Sequence, residues 1–423
     1  MFDNNDTIFA LSSGNPPAGV AVTRISGSGL EKLFSDLTGI AEPAARHLYL
    51  VKIPNADDVL AVYFKAPNSF TGEDVIEIHS HGSDAVIQKI FALLKTRGAR
   101  LAERGEFSAR AFLNGKMDLQ QVDGLADLIH AKTEQQRIQA FAAYTGEGSR
   151  LYHSWRARLV NATANLAAAA EFPEDELPGG LVAGALKEIR ALADEILKHL
   201  GTYAAGRAIR SGFRIVLAGK VNAGKSSMFN ALLGSSRAIV SETPGTTRDF
   251  ITAEIDIGGY LVELIDTAGL RETENEIENA GIEKSRDLIT GADLVISVIN
   301  PKDEIPGRGF ALPGMTVKTH LDLYSDADVS VKTGQGMEDF ISRIKNEIKG
   351  KLETREPAVV SNEKTAELLR AAADYLRAAL AEPVPELAAE NVRLAADALG
   401  KVLGEVDFDE IQSAIFGRLC LGK

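Results

Sequence analysis

Gly219-Lys-Val-Asn-Ala-Gly-Lys-Ser226 follows the pattern G-x-x-x-x-G-K-[ST], a phosphate-binding loop. Its flanks supply the context that pattern needs. Phe213-Arg-Ile-Val-Leu-Ala218 is an apolar run that reads as a buried strand, and Ser227-Met-Phe-Asn-Ala-Leu-Leu233 reads as a helix. Gly219 and Gly224 let the backbone turn its N–H groups toward a polyphosphate, and the helix N-terminus adds partial positive charge. Lys225 is placed to reach the β- and γ-phosphates, and the Ser226 hydroxyl can ligate Mg²⁺. Asn222, Ala223, Gly224 and Ser227 complete the set of candidate nucleotide contacts in this loop.

Further motifs point to GTP rather than ATP. Asp266-Thr-Ala-Gly269 closes the apolar run Leu261-Val-Glu-Leu-Ile265; Asp266 can hold the Mg²⁺ water shell, and the Gly269 amide can meet the γ-phosphate, with Thr267 and Ala268 between them. Upstream, Gly245-Thr-Thr-Arg-Asp249 offers Thr247 as the second Mg²⁺ hydroxyl. Ser330-Val331-Lys332 resembles the loop behind a guanine base. The guanine-reading pattern Asn-Lys-x-Asp is altered here to Thr319-His-Leu-Asp322. Asp322 can still accept from the guanine N1 and N2 donors, so guanine selectivity is expected to persist with lower affinity or selectivity. Leu270 stands where Ras-like GTPases carry a water-orienting glutamine. That role falls to another group, with Glu272, Glu274, Glu276, Glu278 and, as a finger, Arg271 as candidates; the ordinary alternative is a solvated acidic loop.

A chain of 423 residues has room for about three domains. Its 45% hydrophobic and 25% charged content is that of a soluble globular protein. No apolar run approaches the ~18 residues of a membrane span, and the acidic start lacks a signal-peptide pattern. One cysteine excludes an internal disulfide framework and fits a reducing cytoplasm. A net charge of −13 argues against broad nucleic-acid binding by the chain alone. Lys89, Lys95, Arg97, Arg100, Arg104, Arg110 and Lys116 form a basic stretch that is either a local patch or a solvated face.

The expected fold is multidomain α/β. Residues 1–117 read as an α+β domain, with strands around 18–25, 59–64 and 75–78 and a helix over 84–96 ending at Gly98. Alanine-rich amphipathic helices over 125–145 and 154–171 mark a helical part, 118–208. Residues 209–355 alternate strand and helix as a Ras-like P-loop domain. Helical pattern returns over 356–423, with helices at 363–381, 388–403 and 409–419. The two helical blocks suggest one discontinuous domain with the GTPase inserted.

The chain resembles the MnmE (TrmE) family of tRNA-modifying GTPases over its whole length. The resemblance rests on Asp6-Thr-Ile8, Arg24-Ile-Ser-Gly27, Asn68-Ser-Phe-Thr-Gly-Glu-Asp-Val75, Gly105-Glu-Phe-Ser108, Ala111-Phe-Leu-Asn114, the nucleotide motifs above and the terminal Cys420-Leu-Gly-Lys423. The altered guanine motif and a short segment before it, Pro301–Pro313, depart from the family. The resemblance implies a cytoplasmic homodimer without membrane association. It implies that, with an FAD-dependent partner, MnmG (GidA), the protein adds a 5-carboxymethylaminomethyl or aminomethyl group to the wobble uridine of tRNA. The one-carbon unit comes from a folate of the 5-formyl-tetrahydrofolate type, bound in an N-terminal folate-binding-like domain. Arg24, Glu77, Lys116 and Lys423 match the family's folate contacts. Arginine and lysine suit a folate's glutamate tail, and a carboxylate suits its pterin donors. The resemblance also implies K⁺ activation, with Asn222, Ser241, Thr243 and Thr246 around the ion, and Glu278 as the residue that orients water.

Three features stay open on the residues alone. Cys420 is a catalytic thiol or an incidental one. His79-Ser-His81 lacks a third metal-ligand pattern. A GTP-dependent ribosome-assembly or regulatory switch would use the same nucleotide motifs, but would need neither a folate nor the terminal tetrapeptide.

Overall fold

The computed structural model describes residues 6–173, 176–220, 222–235, 237–239, 251–266, 288–303, 314–353, 360–405 and 422. The chain divides into two compact units, one holding 1–126, 143–161 and 393–423, the other 127–142 and 162–392.

The first unit is built on a six-stranded sheet in the order β3-β4-β5-β2-β1-β6. Its strands are β1 (Ile8–Leu11), β2 (Ala18–Gly27), β3 (Leu48–Ile53), β4 (Asp57–Phe64), β5 (Asp74–Gly82) and β6 (Arg100–Leu101). Pairing is antiparallel except between β1 and β6. Side chains alternate between the two faces of a strand. Ile25, Ile76 and Ile78 therefore join a buried cluster with Phe34, Ile90 and Leu94 from the helices Glu31–Thr38 and Asp84–Lys95. Arg24 and Glu77 lie directly opposite one another in the register. The Ser83 hydroxyl caps Asp84–Lys95 by accepting from the Val86 amide, as an N-cap serine does.

The single helix expected over 125–145 is two helices, Leu119–His130 and Glu134–Tyr144. Thr133-Glu-Gln-Gln136 makes the break. The Gln136 side-chain oxygen accepts from the Lys132 and Thr133 amides at 2.9 and 3.2 Å, while the Thr133 carbonyl receives Arg137 N–H. A threonine followed three residues on by glutamine is a helix-start signal that outweighed the alanine-rich periodicity. The helix expected at 409–419 lies outside the described residues.

The second unit holds a sheet in the order β12-β11-β7-β10-β9-β8. Its strands are β7 (Phe213–Ala218), β8 (Arg237–Ile239), β9 (Ile251–Ile257), β10 (Tyr260–Asp266), β11 (Leu294–Ile299) and β12 (Met315–Lys318). β7, β10, β11 and β12 run parallel, while β9 is antiparallel to β10 and β8. Ile215 and Leu217 of β7 share one core with Met228, Phe229 and Leu232 of the helix Lys225–Ser235 and with Phe340 and Ile344 of the helix Met337–Leu352. Each such side chain removed from water contributes about 1.5–3 kcal/mol. Within the same unit, the helix Leu181–Leu200 packs on Glu363–Ala381, joining segments on either side of the nucleotide domain in sequence. Among the described residues, no helix is long and apolar enough to cross a membrane.

Candidate functional site

The nucleotide site forms where parallel strands end. Ligands of open α/β sheets bind beyond the carboxyl ends of the strands. Here β7 runs into the phosphate loop, β10 ends at Asp266 beside it, and β12 leads directly into Thr319. Gly219 is required by space as well as conformation: at φ +154° a Cβ there would lie 2.3 Å from the Val298 carbonyl oxygen. Asn222 takes the left-handed region at φ +62° and is exposed in the loop.

Lys225 is buried, and its ammonium donates to the carbonyls of Gly219 at 2.8 Å and Lys220 at 3.0 Å. Burial pulls its pKa below the usual lysine value, and the charge of nearby Asp266 only partly opposes this. The Ser226 hydroxyl, exposed to solvent, donates to Asp266 Oδ2 at 2.8 Å. Asp266 is fully buried at the strand end. A hydroxyl and a carboxylate converging in this way are hard oxygen donors suited to Mg²⁺.

The base-facing loop is held internally. The buried Ser330 hydroxyl donates to Asp322 Oδ1 at 2.8 Å and accepts from the Thr333 amide. That bond, with help from Lys332 and His320, holds the exposed Asp322 carboxyl below the ordinary aspartate range. Asp322 is therefore a charged acceptor at neutral pH. Val331 packs against the core of the unit. The sequence reading missed what Thr319 and His320 do. Thr319 is buried, and its hydroxyl donates to the Ala223 carbonyl of the phosphate loop at 3.0 Å. The signal was a hydroxyl residue standing where the usual motif has asparagine.

In the first unit, Arg24 Nη2 and Nε donate to Glu77 Oε1 at 2.8 and 2.9 Å. The Arg24 guanidinium also lies over the rings of Phe70, 5.1 Å from the centroid, and Phe107, 6.0 Å. Those two aromatics come from Asn68–Val75 and Gly105–Ser108, so two of the family-like motifs converge on Arg24. Lys116 Nζ donates to the Pro67 carbonyl at 3.0 Å. Gly422, at φ +94°, packs so closely on the end of β1 that a Cβ would lie 2.2 Å from the Leu11 carbonyl, and its own carbonyl accepts from Ser12 Oγ at 2.9 Å. The C-terminal end thus meets the strand that pairs with β2, which carries Arg24. A cavity of about 360 Å³ elsewhere in this unit is lined in part by Gly72, Glu73 and Asp74, not by Arg24 or Glu77.

Ser241, Thr243, Gly245, Thr246 and Thr247 lie outside the described residues, as do Thr267, Ala268, Gly269, Glu278, Cys420 and Lys423. Among the described residues, no group of three metal-ligating side chains occurs, around His79 and His81 included.

Strand order, the loop at the end of β7 and an ionised aspartate in the base-facing loop place the second unit in the class of P-loop GTPases. Comparison with known proteins gives the family. A model of the MnmE helical domain matches residues 119–420, and a model of the GTP-binding protein TrmE N-terminus matches 7–116. The tRNA modification GTPase MnmE of Brucella ovis is 40% identical over 99% of this chain and 98% of its own length. That of Rhizobium etli is 41% identical over 99% of each. The G domain of the T. maritima FeoB iron transporter matches 33% of this chain and 99% of its own at 24% identity and TM-score 0.23. The chain belongs to the MnmE family of tRNA modification GTPases.

Proposed function

We propose that the protein is a cytoplasmic, K⁺-activated GTP hydrolase that takes part in modifying the wobble uridine of tRNA at carbon 5, together with an FAD-dependent MnmG-type partner. The observation that carries the GTPase half is the placing of Lys225, the Ser226–Asp266 pair and the Ser330-held Asp322 beyond the carboxyl ends of the parallel strands. Lys225 binds the β- and γ-phosphates; Ser226 and Thr247 would ligate Mg²⁺, with Asp266 holding its water shell, and the ion would neutralise phosphate charge. Asp322 accepts from the guanine N1 and N2 donors. Glu278 orients the attacking water in place of the absent glutamine. Asn222, Ser241, Thr243 and Thr246 hold K⁺, which supplies positive charge where other GTPases use an arginine finger.

The folate half rests on the Arg24–Glu77 pair against Phe70 and Phe107, with Gly422 at the end of the neighbouring strand. A guanidinium backed by aromatic rings suits the planar, polar end or the carboxylate tail of a 5-formyl-tetrahydrofolate. Lys116 and Lys423 complete the proposed set. Homodimerisation through this unit and the domain limits 1–117, 118–208, 209–355 and 356–423 belong to the same proposal.

Base selection supplies the test. Replacing Asp322 with asparagine substitutes a donor for one of the two acceptor oxygens that guanine needs. Asp322→Asn is expected to lower kcat/KM for GTP by about 10- to 100-fold and to raise that for xanthosine triphosphate. Turnover assays with GTP, XTP and ATP read this directly. Unchanged GTP turnover in the variant, or wild-type use of ATP at the rate of GTP, would show that Asp322 does not read the base.

A further inference from the structure

We infer that Thr319 and His320 act as a positioning pair that fastens the base-facing loop to the phosphate loop and thereby sets guanine-nucleotide affinity. The inference rests on the nucleotide site proposed above and goes further, because it concerns the two positions where this chain departs from the usual Asn-Lys.

Three contacts meet at the Thr319 hydroxyl. Ala223 O lies at 3.0 Å, Ile299 O at 3.3 Å and His320 Nδ1 at 2.8 Å. A hydroxyl has one proton to give and two lone pairs to receive with. The shortest contacts are satisfied together when Nδ1–H of His320 donates to Thr319 Oγ1 and the hydroxyl donates on to Ala223 O. The relay fixes the imidazole tautomer and aims the threonine proton at the phosphate loop. It forms in a site where Thr319 and Ala223 are both 2% exposed, so water does not compete for the bond.

The backbone is arranged around this contact. His320 is one of four described non-glycine residues at positive φ, at +69°. That conformation costs about 1 kcal/mol for a residue with a Cβ. It brings the imidazole back onto the phosphate loop: a Cβ added at Gly224 would lie 3.6 Å from Thr319 Cγ2 and 3.9 Å from His320 Cε1. The turn is closed by Leu323 and Tyr324 amides donating to the His320 carbonyl at 2.9 and 3.0 Å, and by Leu321 N–H donating to Val329 O at 3.0 Å. The Thr319 methyl and the imidazole edge thus form the wall behind Gly224, and the hydroxyl ties that wall to Ala223.

The consequence for binding follows from preorganisation. Asp322 is three residues beyond Thr319, on the same turn, and the phosphate-binding amides lie on either side of Ala223. A nucleotide must engage both at once. Untied, the two loops sample other separations, and the apparent affinity falls by the fraction of time spent in the competent one. Once GTP is bound, its base and phosphates hold both loops, so the turnover step has little further need of the tie.

The test uses the full chain with a fluorescent GDP for affinity, steady-state GTP turnover and thermal melting without nucleotide. Thr319→Val keeps the shape and loses the hydroxyl; it is expected to weaken GDP about tenfold and to raise KM for GTP alike, with kcat changed less than about twofold. Thr319→Ser keeps the hydroxyl and is expected to stay within about threefold of wild type. His320→Ala removes the partner that fixes the proton and is expected to fall between them. GDP binding by Thr319→Val at wild-type strength would overturn the inference, as would an equal loss in Thr319→Ser, which keeps the hydroxyl and would show that the hydroxyl does not set the affinity. If Thr319→Val melts below the assay temperature, His320→Ala decides, and unchanged affinity there overturns the pair. A wild-type chain that binds no guanine nucleotide would instead defeat the nucleotide site itself.

Discussion

Lys225→Ala is expected to lower kcat/KM for GTP by about 10²–10³-fold, with little loss of thermal stability. Removing one preorganised donor to a developing charge costs about that factor, and Lys225 contributes a full charge besides. Its two carbonyl partners, on Gly219 and Lys220, sit in an exposed part of the loop and can turn to water when the ammonium is gone. Removing a buried cation next to Asp266 leaves that carboxylate its bond from Ser226. Measuring GDP affinity, turnover and melting on one preparation separates the two effects. Turnover within threefold of wild type would place the phosphates elsewhere, and a collapse in melting temperature would make Lys225 a structural cation.

Arg110→Ala is expected to destabilise the first unit by about 3–5 kcal/mol, because it removes a fully buried cation shared by the buried Glu106 and the partly buried Asp6 and Glu73. Arg110 and Glu106 are both fully buried and 3.1 Å apart; Arg110 also donates to Asp6 Oδ1 at 2.6 Å and Glu73 Oε2 at 3.1 Å. Arg100 donates to Glu106 at 2.6 Å and pairs with Asp6 as well. The network ties the start of β1, the Glu73 loop and the helix Glu106–Leu113 together, so its loss is felt in three segments. Removing both charges, in Arg110→Met with Glu106→Leu, is expected to recover part of the loss, since a buried pair often does no better than apolar residues of its size. Chemical denaturation of the variants reads both values. A single-variant cost under about 1 kcal/mol would contradict the buried network.

The same network sets an acid limit. Burial would raise the Asp6 carboxyl, but hydrogen bonds from Arg100 and Arg110 outweigh it and hold its pKa below the ordinary aspartate range. A carboxylate depressed on folding contributes stability that is present above the unfolded pKa and is lost as pH falls through the folded one. This unit is therefore expected to lose part of its stability as pH falls through the acid range, read by denaturation at a series of pH values, and Arg100→Ala should shrink that pH-dependent part.

Local chemistry carried most of the nucleotide domain into the sequence. Phe213–Ala218 is a strand with the limits its apolar run suggests, because a central strand covered on both faces has no other use for such a run. The helix at Glu363–Ala381 likewise follows its periodicity. What was hidden depends on residues far apart in the chain. No local pattern around Arg24 reports the Phe70 and Phe107 rings that the fold brings beneath it. The Ser12–Gly422 bond joins the two ends of the chain, which no periodicity can report. Thr319 looked like a lost contact because motif reading asks which side chain meets the base, whereas its hydroxyl meets the neighbouring loop. The break before Glu134 was legible as a capping pair but was outvoted by alanine content.

The first measurement to make is the rate of GTP hydrolysis by the full chain in K⁺ and in Na⁺ at equal ionic strength, with Asn222→Ala and Glu278→Ala beside the wild type. A K⁺-activated family GTPase turns over GTP several-fold faster in K⁺, loses that advantage in Asn222→Ala and loses turnover in Glu278→Ala. Equal wild-type rates in the two salts would contradict it and place the stabilising charge on the protein itself.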